Sequence, residues 1–343
     1  MGIKAIKLYF RIILTAISVF IVLLSLSAIW AHKIDPSTSI GVHYILFFYP
    51  SLIVINIILF VWWLVKKRRL ALIPLVGLIL NLSFILSSVK FTRGLNLSKE
   101  GSISVMSYNV HYFSSGETSN LPLIAAMISD YDADIVSLQE VQPHPLFSLN
   151  EIKQEFDKFP YSFIHVGNHL EIGMAVFSKH PIIKTERIKF EDSGNGIMLV
   201  DVLFRGDTIR IINAHLQTTG ISGIKRFNAK KIINSIGGNL IKRSWQAKYV
   251  RELIDKTKYP IIICGDFNDM PQSYAYHTII GNDLIDSFKE AGSGFGGSYS
   301  NIMGLLRIDY ILHSNHFKAI KFRRDKSKFS DHFAIFSVLE YQN

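Results

Sequence analysis

Asp266 and Asn268 stand two residues apart where the apolar run Ile261-Ile262-Ile263-Cys264 gives way to Gly265-Asp266-Phe267-Asn268. A buried strand ending there presents a carboxylate and a carboxamide together at its tip. That pairing suits chemistry in which a water and an anionic group are held side by side, as in hydrolysis of a phosphate ester. Similar placements recur along the chain. Asn109 follows the run Ile103–Tyr108, Glu140 follows Asp134–Leu138, and Asn213 and His215 follow Ile209–Ile212. Asp331 and His332 precede the run Phe333–Leu339, while Asp309 lies inside Arg307-Ile308-Asp309-Tyr310-Ile311-Leu312. Singly, each has an ordinary explanation, since Asn and Asp form turns and a histidine beside a strand usually packs. The ordered recurrence is what points to a site.

The elements that would position these side chains are short strands with interspersed helices. Ile103–Tyr108, Asp134–Leu138, Ile172–Ser178, Ile261–Cys264, Ile308–Leu312 and Phe333–Leu339 read as strands, and Met198–Phe204 with Ile209–Ile212 as a hairpin around Arg205-Gly206-Asp207. Leu121–Ser129, with Pro122 at its start, and Trp245–Thr257 read as helices. This pattern over residues 98–343 predicts one layered α/β domain. Gly292–Gly297 lacks both a following helix start and a Lys-Ser/Thr, so it reads as a loop rather than a phosphate cradle. Cys264 is the only cysteine, which excludes an intramolecular disulfide, and its apolar setting predicts a small buried hydrophobe.

In chain order, Ser107-Tyr108-Asn109, Leu138-Gln139-Glu140, Asn213-Ala214-His215-Leu216, Gly265-Asp266-Phe267-Asn268, Arg307-Ile308-Asp309-Tyr310 and Ser330-Asp331-His332 resemble the motifs of the endonuclease/exonuclease/phosphatase superfamily. That family includes secreted DNases, abasic-site endonucleases, sphingomyelinases and inositol-phosphate phosphatases. The resemblance spans residues 98–343 and implies a DNase I-like four-layer α/β sandwich. Its chemistry can be argued in parallel. Phosphate esters repel anionic nucleophiles and release poor leaving groups, and a hard divalent cation with oxygen ligands answers both problems. Glu140 is the leading metal ligand, Asn109 joins it directly or through water, and Asp331 is a further ligand, with Asp309 a weaker one. Such a set suits Mg2+ or Mn2+ better than zinc. Asp266 would orient the attacking water and Asn268 would donate to a phosphate oxygen. The resemblance implies that His332 pairs with Asp309, and that Asn213 and His215 serve the substrate. It leaves open one metal or two, and Asp266 or His332 as the base. His111, two residues from Asn109, is the further histidine to watch; His165, His169 and His180 are weaker candidates for the cleft rim.

The N-terminal third is different in kind. Ile12–Ala31, Tyr44–Val65 and Leu70–Val89 are uncharged apolar runs of about 20 residues each, enough to cross a bilayer as helices. Three transmembrane helices are therefore expected, with Trp30, Trp62 and Trp63 near their ends at the interface, Pro74 in a first turn and Pro50 kinking the second run. Lys4, Lys7 and Arg11 before the first run and Lys66-Lys67-Arg68-Arg69 after the second predict a cytoplasmic N-terminus and an extracytoplasmic catalytic domain in a multi-pass membrane protein. A cleaved signal peptide fits less well, because the first apolar core is long and small residues are poorly placed around Ala28–Ala31.

The net charge of +10 belongs mostly to this segment: residues 1–97 carry ten Lys/Arg and only Asp35, whereas residues 98–343 balance 27 basic against 26 acidic residues. The basic total is thus no evidence for a grip on nucleic acid. Two stretches are locally basic, Thr208–Arg251, much of it the insertion-like Gly220–Ser244, and Lys318–Lys328. An extracytoplasmic domain demotes chromosomal repair. It leaves lipid headgroup cleavage, nuclease action, or dephosphorylation of a small or lipid-linked phosphate. The short link from Val89 to Ile103 mildly favours the lipid. An inactive binding module would be expected to lack Glu140, Asp266, Asn268 or His332, and none is missing. No obligate protein partner is inferred.

Overall fold

The computed structural model describes residues 2–342 except 91–100, 169, 221–227 and 303. The expected rim residue His169, and Lys225 and Arg226 of the basic insertion, therefore lie outside the described residues.

Two six-stranded sheets form the centre of the catalytic region. The first contains β1 (Ser102–Asn109), β2 (Ile135–Gln139), β3 (Tyr161–His165) and β4 (Met174–Ser178). The second contains β5 (Ile182–Lys189), β6 (Gly196–Phe204), β7 (Asp207–His215), β8 (Ile261–Asp266), β9 (Leu284–Asp286) and β10 (Asp309–Ser314). The chain then returns to the first sheet with β11 (Phe317–Arg324) and β12 (Ile335–Tyr341). The orders are β11-β12-β1-β2-β4-β3 and β9-β10-β8-β7-β6-β5. Within them β1 runs parallel to β2, and β7 parallel to β8.

The sheets pack face to face through a buried core that includes Val105, Ile135, Val176, Val200, Ile262 and Cys264. Helices α6 (Leu121–Tyr131) and α7 (Leu149–Glu155) cover the outer face of the first sheet. Helices α8 (Ala229–Lys256) and α9 (Tyr274–Ile280) cover the second. This is the expected four-layer sandwich. It explains why β8 reads as an unbroken apolar run: Ile262 and Cys264 face the inter-sheet core, while Ile261 and Ile263 face the helices. Burial pushes the Cys264 thiol up to about 12, which keeps it inert. Helix α8 is longer than its expected Trp245–Thr257 core, because Asn228 caps it early by accepting from the Lys231 N–H at 3.0 Å.

The N-terminal segment forms a helical bundle of α1 (Ile3–Ala28), α2 (Gly41–Phe47), α3 (Tyr49–Lys66), α4 (Leu72–Leu80) and α5 (Leu82–Leu86). Two helical stretches, Ile3–Lys33 and Tyr49–Lys66, are long and apolar enough to cross a membrane. This corrects the expectation of three continuous helices, since the third run breaks at Asn81. The Asn81 amide donates to Gly77 O at 2.8 Å and to Ser25 Oγ at 3.2 Å, and its oxygen accepts from the Tyr49 hydroxyl at 3.1 Å. A side chain so engaged competes with the helical ladder. The broken run nevertheless traverses the bundle: Lys66–Arg69 lie before it, and beyond the break Phe84 meets His32 and Tyr49 at the opposite end. Pro50 sits in the first turn of α3 rather than kinking a longer helix. Trp63 is buried and donates to Ser18 Oγ at 2.9 Å, whereas Trp30 and Trp62 are exposed.

Among the described residues, the bundle docks on the sandwich through the end that carries Asp35, Tyr44 and Phe84. Tyr44 donates to Ile233 O at 2.9 Å, Asp35 accepts from Ser244 Oγ at 3.1 Å and pairs with Lys248, and Gln272 donates to Phe84 O at 2.8 Å. Val89-Lys90 adds a short antiparallel pairing with Gly294-Phe295.

Candidate active site

Strand register gathers the polar side chains at one edge of both sheets. In the second sheet His215 pairs with Asp266, and Asp266 with Asp309. In the first sheet Asn109 pairs with Gln139, one residue before Glu140. The tips are tightly turned, with φ of 60° at Glu140 and 54° at Asn268. His111, Tyr112 and Phe113 are left-handed in succession, at 44°, 58° and 52°. Left-handed backbone at residues other than glycine is costly, and it concentrates where a site over-determines the chain.

Asn109 bridges two carboxylates. Its Nδ2 donates to Glu140 Oε1 at 3.0 Å and to Asp266 Oδ2 at 3.1 Å, while its Oδ1 accepts from the His111 N–H at 3.1 Å. Asn268 turns back on Asp266: its N–H donates to Oδ1 at 2.7 Å and its Nδ2 to Oδ2 at 3.2 Å and to Leu216 O at 3.0 Å. His332 Nδ1 meets Asp309 Oδ2 at 2.9 Å, and its Nε2 lies 3.7 Å from Asp266 Oδ2. His215 Nε2 stands 3.6 Å from Asp266 and 3.8 Å from Glu140. Asp331 lies at the rim, 3.4 Å from His111 Nδ1, and His111 is also 3.6 Å from Glu140.

Asn213 does not face this cleft. Its amide donates to Leu138 O at 3.0 Å and Ala175 O at 3.1 Å and accepts from Gln139 at 2.7 Å, which ties the two sheets together. His165 pairs with Glu171 at 2.9 Å, and His180 packs edge-on against Phe204. Three residues outside the expected catalytic, substrate and metal set support the site. Ser298 Oγ accepts from the N–H groups of Ile308 and Asp309 at 3.1 and 3.0 Å, and Tyr299 packs edge-on against His332. Buried Arg307 donates to Asp286 at 2.7 Å. Only the position of Arg307 beside Asp309 gave any sequence signal.

The electrostatics separate the groups. Burial opposes ionisation of Glu140, yet His111, His215 and Asn109 hold its carboxyl down to about 2. Burial drives the Asp266 carboxyl up to about 7, with His332 opposing and Asp309 adding to the rise. Burial would lower His332, but Asp309 and Asp266 outweigh it and hold the imidazole cationic. Burial lowers His215, against the pull of Glu140.

Carboxylates dominate the donor set, as a hard divalent cation requires. Asp309 Oδ1 is buried without a hydrogen-bond partner among the described residues, an acceptor that is costly to leave unmet. Asp266, Asp309 and His332 offer donor atoms within 4.8 Å of one another. Glu140 and Asp331 form a second, more open acidic side of the cleft.

The sequence profile of the endonuclease/exonuclease/phosphatase family matches residues 106–332, from β1 to His332. The chain belongs to the endonuclease/exonuclease/phosphatase family. Membership makes it a metal-dependent hydrolase of phosphate ester bonds. Residues 11–88 match a separate domain of unknown function.

Solved structures share the fold of this family member. An endonuclease/exonuclease/phosphatase from Bacteroides vulgatus matches with a TM-score of 0.55 at 15% identity, over 70% of this chain and 99% of that one. One from Beutenbergia cavernae gives 0.54 at 18%, over 71% and 72%. D. rerio TDP2, in a complex with a single-strand DNA product, gives 0.53 at 17%, over 69% and 98%. No curated protein matches in sequence.

Proposed function

We propose that the protein is a membrane-held phosphoesterase that hydrolyses a phosphate ester outside the cytoplasm. The observation that carries the chemistry is the convergence of Asp266, Asn268, His332–Asp309, His215 and Glu140 on one cleft. The bound ion, Mg2+ or Mn2+, would be held by Glu140 and Asp331 with Asn109 behind them, and would supply charge neutralisation at the phosphate. That side is favoured over the trio Asp266, Asp309 and His332 because the His332 ring spans those two carboxylates, 2.9 Å from Asp309 and 3.7 Å from Asp266.

Asp266 accepts a hydrogen bond from the attacking water and orients it. Asn268 Nδ2 donates to Leu216 O at 3.0 Å and to Asp266 Oδ2 at 3.2 Å, and on releasing the longer of these contacts it would donate to a phosphate oxygen. Cationic His332, fixed through Nδ1 by Asp309, directs Nε2 into the cleft, where it stabilises charge and supplies a proton to the departing alcohol. His215 is a second imidazole contact.

α1, α3 and the broken α4–α5 pair are read as crossing the bilayer, with the Lys66–Arg69 loop inside and the catalytic domain outside, as the distribution of Lys and Arg favours. The domains are proposed as an anchor over residues 1–97 and a catalytic domain over 98–343. An extracytoplasmic nuclease is the second reading, favoured by the nucleic-acid product in the TDP2 complex.

The test uses the full chain with Mg2+ or Mn2+ and bis-p-nitrophenyl phosphate. Turnover that Asp266→Ala abolishes is expected, and turnover indifferent to that change would remove the assignment. A reporter active only outside the cytoplasm, fused after Asn343, should be active; a stable but silent fusion would reverse the orientation.

A further inference from the structure

The anchor is attached to the catalytic domain at the mouth of the cleft. Asp266 and Asp309 pair in register at the mouth ends of β8 and β10, and the chain beyond each runs directly to the helical bundle. After β8, Met270 packs against the apolar cluster of the bundle that includes Ala31 and Tyr49, and Gln272 donates to Ser87 Oγ at 2.8 Å. Before β10, Arg307 donates to Ser87 O at 2.9 Å. Successive Cα atoms are about 3.8 Å apart, so Asn268 can be no further than about 8 Å from the Cα of Met270. The headgroup zone of a bilayer is about 5–8 Å deep on each side. Asn268 therefore lies within about 8 Å of a residue packed on the bundle, a span comparable with the depth of the headgroup zone.

Exposed leucines lie in segments joined to the same strand ends that carry the site. Leu146 follows β2, Leu170 lies between β3 and β4, and Leu305 precedes β10, and they are 49%, 62% and 45% exposed. Four of the nine Lys/Arg in Thr208–Arg251 are taken up in ion pairs. Arg210, Arg243, Lys248 and Arg251 of the basic stretch pair with Asp201, Asp269, Asp35 and Asp283.

We infer that the phosphate ester is carried by a membrane lipid, whose phosphate enters the cleft while its hydrocarbon stays in the adjoining leaflet. Water adds its oxygen to phosphorus, the P–O bond to one alcohol breaks, and that alcohol leaves with the proton. The inference rests on the phosphoesterase reading above.

The test places the full-length protein, with Mn2+, in nanodiscs of phosphatidylethanolamine, phosphatidylglycerol and phosphatidic acid, and measures lipid hydrolysis beside that of soluble bis-p-nitrophenyl phosphate. The expected result is lipid turnover with kcat/KM at least about tenfold above that of the soluble ester. Leu170→Asp with Leu305→Asp should lower lipid turnover at least about fivefold and leave the soluble ester within about twofold. Cleavage of the soluble ester with no lipid turnover would overturn the lipid inference and leave the phosphoesterase reading standing. An equal fall in both rates in the leucine variant would also overturn it. Failure to cleave either substrate would take down both.

Discussion

Asp266 is fully enclosed between the Asn109 amide at 3.1 Å and the His332 imidazole at 3.7 Å, and burial drives its carboxyl up to about 7. A carboxyl raised on folding contributes stability below its unfolded value, and that contribution is lost as pH rises through about 7. At pH above that window the folded state carries an unfavourable charge. In EDTA the melting temperature of the native protein should therefore fall as pH rises through about 7, and Asp266→Asn should flatten that fall while lowering kcat by about 10²–10⁴. The same pH dependence in both proteins would contradict the cost assigned to Asp266. In the native enzyme the rate should climb with pH through about 7, as Asp266 becomes free to accept from water. Glu140 behaves in the opposite sense: its lowered carboxyl contributes stability above its unfolded value, and that is lost as pH falls toward about 2. If Glu140 holds the ion, Mn2+ should raise the melting temperature of the native protein and not that of Glu140→Gln. The residue types at this cleft were legible because chemistry limits them and strand ends display them. Asn213 shows the limit, for the same strand turns Asn213 into the sheet–sheet junction and His215 to the cleft, a difference set by the partner sheet.

The elements were legible where one physical signal dominated. β8 is apolar throughout because both of its faces are buried, and β7 and β8 align because parallel register brings His215 beside Asp266. The break at Asn81 was not legible, because its cause is long-range: Ser25 and Tyr49 lie on other helices. The same holds for the segment before β10. Arg307 and Asp286 are both almost wholly enclosed, and Asp286 also accepts from Tyr276 at 2.6 Å and caps α10 (Ser287–Ala291) through the Phe288 N–H at 3.0 Å. Truncating one partner of such a pair leaves the other charge buried and typically costs about 3–5 kcal/mol. Arg307→Ala should lose stability of that order in urea unfolding of the detergent-solubilised protein, and should lower kcat because Asp309 begins two residues later. Arg307→Lys, which keeps the charge but not the planar fork, should fall between the two. A loss below about 1 kcal/mol for Arg307→Ala would show that the pair is not a structural tie.

At the scale of the whole molecule, composition separates an apolar, basic N-terminal third from a balanced α/β domain, and the bonding across their junction begins before the change of composition. The change of composition near Leu97 suggests a boundary there, whereas bonding across the junction runs through Ser87, Ser88 and Val89-Lys90. Ser88 O accepts from the Gly296 N–H at 3.1 Å, and Ser87 O accepts from Arg307. From Gly296 the chain continues to Ser298 and Tyr299, which hold Asp309 and flank His332. The exit of the anchor is thus built into the support of the catalytic dyad, and residues 98–343 alone leave the Arg307 guanidinium and the Gly296 amide without those partners. A chain beginning at Ser87 retains both. Compared in hydrogen exchange, the shorter chain should lose protection at residues 294–296 and the longer should keep it. The shorter chain should also melt at lower temperature and turn over bis-p-nitrophenyl phosphate more slowly, because Asp309 and His332 are less firmly held. Equal protection and equal rates in the two chains would put the boundary at the composition change and reduce residues 87–90 to a tether.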